Sequence, residues 1–224
     1  MINLAYNDCY NLAQCTNMEI YFERKTLLKE ELLETIHKAF SFEADSILAT
    51  KDAVDSAEYL KAVRLLSEAQ RIGTAGCGHS GICCMHFAHL LCCMEKPARF
   101  ISPAEALHGA MGFIQEKDAL VLASRGGKTS ELLPMLEIAR KKGAFVITVT
   151  EEPESMLARQ ADAVLLMCVT RETDQYNSQG TSSFVALSAI FDALQAALIG
   201  ETGYRSEQFA LIHPGGAVGK RLNP

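Results

Sequence analysis

Four polar stretches of the sequence carry residue types that could do chemistry. The first, Gly76-Cys77-Gly78-His79-Ser80-Gly81, fits the glycine spacing that lets a backbone approach a pyrophosphate. Its required companion is an acidic residue at the end of the next strand, and Ile101-Ser102-Pro103 stands there instead. A nicotinamide cofactor is therefore not expected. The turn, with Gly78, His79 and Ser80 at its centre, reads as a contact for an anion or a sugar, ahead of a plain strand-to-helix turn. The second stretch, Ser124-Arg125-Gly126-Gly127-Lys128-Thr129-Ser130-Glu131, ends like a nucleotide P-loop, but the first glycine of that motif falls on Leu122. What survives is a set of hydroxyls, two cations and free amides at the start of a helix, which suits a phosphate monoester. A capped helix with Arg125 and Lys128 in solvent explains the same serine and threonine.

The third stretch is Thr170-Arg171-Glu172, followed by Asn177-Ser178-Gln179-Gly180-Thr181-Ser182-Ser183. Glu172 stands where a catalytic carboxylate would, although position alone leaves a simply exposed glutamate equally open. The fourth, His213-Pro214-Gly215-Gly216-Ala217-Val218-Gly219-Lys220, pairs a histidine with a glycine-rich turn. A lone histidine is more often structural, and this one gains a catalytic reading only by meeting Glu172 in space. His79, Cys83 and His86 share a helical face, yet no carboxylate or CxxC pair accompanies them, so no metal is predicted.

These stretches need a frame. From Arg71 onward, short apolar runs alternate with helical segments: residues 72–75, 98–101, 119–123, 144–149 and 163–169 read as strands. Helices are expected near 80–94, 103–110, 129–142 and 154–160. The fold class is α/β, a five-stranded parallel sheet covered on both faces. Sites in such folds lie outside the carboxyl ends of the strands, where the first three stretches fall. Residues 19–70 read as N-terminal helices whose stripes (Leu28, Leu32, Ile36, Phe40, then Leu60, Val63, Leu65, Leu66) should pack on the core of residues 71–224. Residues 1–18 show no period and read as a leader or arm. The whole is one structural domain. The segment from Phe184 to Ile199 is apolar nearly all round but short and interrupted by Asp192 and Gln195, so it reads as a buried helix that also meets another subunit.

With 27 acidic against 21 basic residues the net charge is −6, which disfavours nucleic acid and anionic lipid as partners. The N-terminus does not resemble a secretory signal. Eight cysteines, including the vicinal pairs Cys83-Cys84 and Cys92-Cys93, read as reduced thiols of a cytoplasmic protein.

Taken together, the segments Pro103-Ala104-Glu105-Ala106-Leu107-His108-Gly109, Thr181-Ser182-Ser183 and His213-Pro214-Gly215-Gly216-Ala217-Val218-Gly219 resemble the sugar isomerase (SIS) domain family, and within it the arabinose-5-phosphate isomerases. The resemblance runs from about Arg71 to Leu222. It implies a three-layer, flavodoxin-like sandwich and a homo-oligomer, dimer or tetramer, whose sites borrow residues from neighbours. It implies a sugar phosphate as the ligand and an aldose-ketose isomerisation through an enediol, which requires no metal or organic cofactor. By the same resemblance Glu131, Glu172 and His213 fall on catalytic positions. Ser80, Ser124, Thr129 and Ser130 fall on phosphate positions, Thr181 and Ser182 face the sugar, and His108 is a site histidine. In this assignment Glu172 handles the carbon-bound proton, His213 serves oxygen protonation or ring opening, Glu131 orients, and His79 polarises an oxygen. The sequence departs from the family in His79, where a lysine is usual, and in Gly126, where a serine is usual. Arg125 and Lys128 add charge, so the phosphate is expected to lean on cations. Many relatives continue into paired regulatory CBS modules; this sequence stops at Pro224, and feedback through such modules is not expected. The alternatives are an isomerase of another phosphosugar such as a hexulose 6-phosphate, a non-catalytic sugar-phosphate regulator and, ranked lowest, a transcription regulator.

Overall fold

The computed structural model describes residues 5–223, with side chains from Leu28 onward. The apolar runs form β1 (Ile72–Gly76), β2 (Ala98–Phe100), β3 (Ala119–Ala123), β4 (Phe145–Thr150) and β5 (Ala163–Leu166). β1 and β3 are buried at every residue, which is why they read as continuous apolar runs rather than alternating ones. All pairings are parallel, in the order β2-β1-β3-β4-β5. The order reverses around β1, whose two neighbours are β2 and β3. In open sheets the crevice outside such a reversal is the ligand-binding place.

Parallel neighbours require crossovers, and these supply the two outer layers. On one face α2 (Ser56–Glu68), α3 (Gly78–Cys93) and α6 (Ser182–Thr202) bring Leu66, Phe87, Leu91, Phe191 and Leu194 onto Ile72, Val121, Ile147 and Leu165. Phe87 and Phe191 stack with centroids 4.3 Å apart. On the other face α4 (Pro103–Ala106), a 3-10 turn (Ala110–Phe113) and α5 (Leu133–Lys141) cover Leu120, Leu122 and Val146. The chain closes with α7 (Ser206–Ile212) and α8 (Gly216–Leu222).

The helix expected over 129–142 starts only at Leu133. Residues 124–132 are spent on turns, with Gly127 N–H donating to the Ser124 carbonyl and Leu132 N–H to that of Thr129. Pro134 then sits in the first turn of α5, where a missing N–H costs nothing. The helix expected at 154–160 shrinks to a single 3-10 turn, Ala158–Gln160.

One helix, α1 (Ala5–Asp52), precedes α2 and takes in residues 5–18, the greater part of the segment read as an arm; residues 1–4 lie outside the described residues. Its stripe of Leu28, Leu32, Ile36 and Phe40 does not pack on the core: all four are exposed, Phe40 to 70%. In the second stripe Val63, Leu65 and Leu66 are buried and Leu60 is exposed. The last turns of α1 do dock, along the segment that continues β5. Thr170 N–H donates to Ser46 Oγ (3.2 Å), Cys168 N–H donates to Thr50 Oγ1 (3.0 Å), and Thr50 Oγ1 donates to the Cys168 carbonyl (3.0 Å). From α2, Glu58 accepts the Val164 N–H at 2.7 Å. Side chains thus take up the outward groups of an edge strand that would otherwise be open to pairing.

The apolar segment near the C-terminus is longer than expected, forming the 21-residue α6. By length and composition α6 is the one helix among the described residues that could cross a membrane. Ala186, Leu187, Ile190, Phe191, Leu194 and Leu198 nevertheless face the core, while Asp192, Ala193, Ala196 and Ala197 are exposed. Burial on every side is not met within one chain.

Candidate functional site

Beyond β1, the glycine turn is a packing device as well as an anion cradle. A Cβ on Gly81 would sit 2.6 Å from the Gly76 carbonyl oxygen, so only glycine lets α3 start this close to the strand. The first three amides of α3, on Gly78, His79 and Ser80, have no carbonyl a turn earlier to bond and face the crevice, as helix N-termini do. His79 is exposed and packs on Gly180, where a Cβ would lie 3.1 Å from its ring; its ring edge meets Phe184.

Across the crevice, beyond β3, Ser124 Oγ and Thr129 Oγ1 bond at 2.8 Å and shape the turn. Gly127 has φ of 59°, and a Cβ there would fall 2.0 Å from Ser155 Oγ, so this position also requires glycine. Ser130 Oγ donates to Glu131 at 2.7 Å. That bond, then the Glu131 backbone amide, holds the exposed Glu131 carboxyl below the usual carboxylate range. Burial pushes the Cys77 thiol at the start of α3 up, and the Glu131 charge adds to it. Lys128, expected to add charge at the phosphate, is instead exposed and lines a separate cleft with Glu152, Glu154, Ser155 and Met156 beyond β4. His108 is exposed beyond β2, its backbone amide donating to the Glu105 carbonyl.

Glu172 is the most enclosed of the predicted charged residues, 1% exposed. One carboxylate oxygen, Oε2, accepts from Thr181 N–H (2.8 Å), Thr181 Oγ1 (3.1 Å) and Ser183 N–H (3.2 Å), so the carboxylate caps the start of α6. An anion there also meets the positive end of the helix dipole. Burial pushes the Glu172 carboxyl up, but hydrogen bonds from Ser183 and Thr181 outweigh it and hold the group below the usual range. The other oxygen accepts from Arg125 Nη1 at 2.7 Å. Asn177 fixes the backbone by accepting the Glu172 N–H at 2.6 Å.

Several expectations change. Arg125 does not stand free for a phosphate: its guanidinium bonds both Glu172 and Glu151. Thr181 Oγ1, expected to face the sugar, is committed to Glu172 and accepts from Thr173 N–H (2.9 Å) and Thr173 Oγ1 (3.0 Å). Ser182 is fully buried, and its hydroxyl has no partner among the described residues. His213 does not meet Glu172 within the chain. It follows α7 and packs against Phe209, ring centroids 4.9 Å apart at a 36° tilt, and its buried Nδ1 has no partner among the described residues. α7 is tied to the opposite end of the sheet, with Gln208 donating to Glu95 just ahead of β2. Of the helical face His79, Cys83 and His86, Cys83 turns into the core toward the Phe184 carbonyl and Ser188.

Glu151, Ser183 and Asn177 were missed by sequence reasoning. Glu151 follows directly on β4, so the strand-end rule that found Glu172 could have found it; Ser183 and Asn177 act through backbone and amide groups that leave no such signal.

Comparison with known proteins follows the same lines. A family model described as the SIS domain matches residues 65–197. The arabinose 5-phosphate isomerase KdsD of Pseudomonas aeruginosa is 36% identical over 197 residues, 85% of this chain, and the chain spans 59% of that relative's length. A structure of a candidate sugar-phosphate isomerase from Listeria monocytogenes superposes with a TM-score of 0.80 at 37% identity, covering 84% of this chain and 98% of that one. The c3406 protein of Escherichia coli CFT073, solved in complex with A5P, gives 0.77 at 25% identity, covering 83% of this chain and 98% of that one.

Proposed function

From the premise that this chain belongs to the SIS domain family, we propose that it is a sugar-phosphate aldose-ketose isomerase, interconverting ribulose 5-phosphate and arabinose 5-phosphate. The observation that carries the reading is Glu172, a buried, ionised carboxylate beside an anion cradle at the reversal of the sheet. The phosphate is received by the free amides of α3 with Ser80, Ser124, Thr129 and Ser130. The chain between phosphate and carbonyl then reaches toward Glu172. Glu172 moves the proton between the two carbons, a role worth about 100 to 10,000-fold for a well-placed base. The enediolate oxygen is stabilised by the amides of the glycine turn and by His79. Glu131 orients the sugar, and His108 flanks it.

His213 completes the site from a second copy of the chain, in a cytoplasmic homo-oligomer. Supporting this are the Nδ1 of His213, without a partner among the described residues, and the exposed apolar residues beside it, Leu211 and Ile212. A second reading, a non-catalytic sugar-phosphate regulator, is favoured by one observation: both oxygens of Glu172 are already engaged. The deciding measurement is proton NMR in deuterated water with ribulose 5-phosphate and with a hexulose 6-phosphate. Deuterium entering at C2 as arabinose 5-phosphate accumulates, and lost in Glu172→Gln, is the expected result. Binding without exchange from either sugar would sink the enzyme reading; turnover of the hexulose alone would move the substrate.

A further inference from the structure

The residue that departs furthest from its expected role is Arg125. Its backbone carbonyl accepts from Glu151 N–H (2.9 Å) and Thr150 Oγ1 (2.9 Å), which locks the loop beyond β3 onto the end of β4. Its Nε donates to Glu151, whose other carboxylate oxygen accepts the Val169 N–H at 2.7 Å. Its Nη1 donates to Glu172 at 2.7 Å. One side chain therefore joins three consecutive strand ends, with both acceptors fixed from their far sides. A guanidinium can do this because its donors form a rigid planar fork; an ammonium cannot. The two carboxylates together outweigh its charge, which leaves little of it for a phosphate.

We propose that Arg125 is a positioning residue, a clamp that fixes the second oxygen of Glu172 by tying it to Glu151, rather than a ligand of the substrate phosphate. The inference rests on the isomerase reading of Glu172 and gives that carboxylate its orientation. With Oε2 held by the start of α6 and Oε1 held by Arg125, the group has one rotamer and stays ionised. The remaining charged and titratable neighbours do not compete. Arg171 turns its Nε to the Glu172 carbonyl and lies over the Phe42 ring of α1. Asp174 is taken up by the amides of Tyr176, Ser178 and Gln179. His79 packs on Gly180, and Glu131 is bonded to Ser130.

The test uses the full chain labelled with carboxyl-13C glutamate, the Glu172 signal being assigned by its loss in Glu172→Gln. Removing an adjacent cation raises a carboxyl, and removing an adjacent anion lowers it. Arg125→Ala should therefore raise the Glu172 titration by about one unit or more, and Glu151→Gln should lower it. Arg125→Lys keeps charge and bulk but loses the fork. It should give a smaller rise, and it covers the case in which the alanine variant does not fold. With ribulose 5-phosphate, the acid limb of kcat/KM should move with the titration while KM changes less than about twofold. The clamp is overturned if the titration stays in place, or if KM and inhibition by inorganic phosphate weaken about tenfold with the acid limb unmoved. Absence of turnover in the unaltered protein would count against the isomerase reading, while the carbon titration would still decide the clamp.

Discussion

The two ends of α6 are finished to different degrees. At its start the Glu172 carboxylate is fully engaged, with three donors on one oxygen, Arg125 on the other and Asn177 on the backbone, and only the neighbouring Ser182 hydroxyl is buried without a partner among the described residues. Past its end, Tyr204 and Gln208 tie the tail to Cys93 and Glu95, but the His213 Nδ1 is buried without a partner among the described residues and Leu211 and Ile212 face outward. Burying a polar atom unpaired costs about 1 to 3 kcal/mol. The difference teaches that the Glu172 carboxylate is held on both oxygens within the described residues, whereas the His213 Nδ1 is not held, which is where the proposal of a second copy bears.

The strongest way to break this comparison is to remove each side's reactive group and compare stability with rate. Glu172→Gln should lower both: activity by about 100-fold or more, and the midpoint of thermal unfolding as well, because a neutral amide cannot accept all of those donors and leaves Arg125 unbalanced. His213→Ala should cost a similar factor in rate and leave the unfolding midpoint nearly unchanged. Mixing the two inactive variants should restore turnover; a mixture that stays silent would count against a shared site. Next in size is Gly127→Ala, in the loop that carries Arg125. The methyl group would meet Ser155 and the backbone would be strained at positive φ, so urea unfolding should show a loss of about 2 kcal/mol or more.

Smaller effects sharpen the comparison. Thr50→Val removes the hydroxyl that bonds both backbone groups of Cys168, and should cost about 1 to 2 kcal/mol in urea unfolding without altering the His213 end. The pH dependence is the mildest. The native Glu172 carboxyl lies below its unfolded value, near 4.3, so its ionised form stabilises the fold above that pH. The contribution fades as pH falls from there through the lower native value. Urea midpoints followed from about pH 6 to pH 3 should drop more steeply in the unaltered protein than in Glu172→Gln.

The strands were legible because full burial on both faces leaves an unbroken apolar run, as at Ala119–Ala123, whose bounds agree residue for residue. Helix starts were less so. The loop from Ser124 to Leu132 has helix-forming residues after Gly127, yet its hydroxyls and amides bond within the turn, and Pro134 is the local sign that the helix starts later. Burial of the α1 stripe was misjudged because periodicity reports which residues share a face and not what covers it. The site's location was legible from the strand ends. Its wiring was not: Arg125 finds its partners 26 and 47 residues away, at the ends of other strands, and only the register of the sheet brings them together.

The docking of α1 on the edge of β5 sets a limit of its own. Ser46 and Thr50 are one helical turn apart, and they serve Thr170 and Cys168, two residues apart on an extended chain running the opposite way. A helix climbs about 6 Å over four residues, and a strand advances about 6.6 Å over two. The two rulers therefore agree for a single step and slip by more than half an ångström with each further one. A helix can impersonate a neighbouring strand only briefly, and Val164, farther down the edge, is met by the longer reach of Glu58 from a different helix.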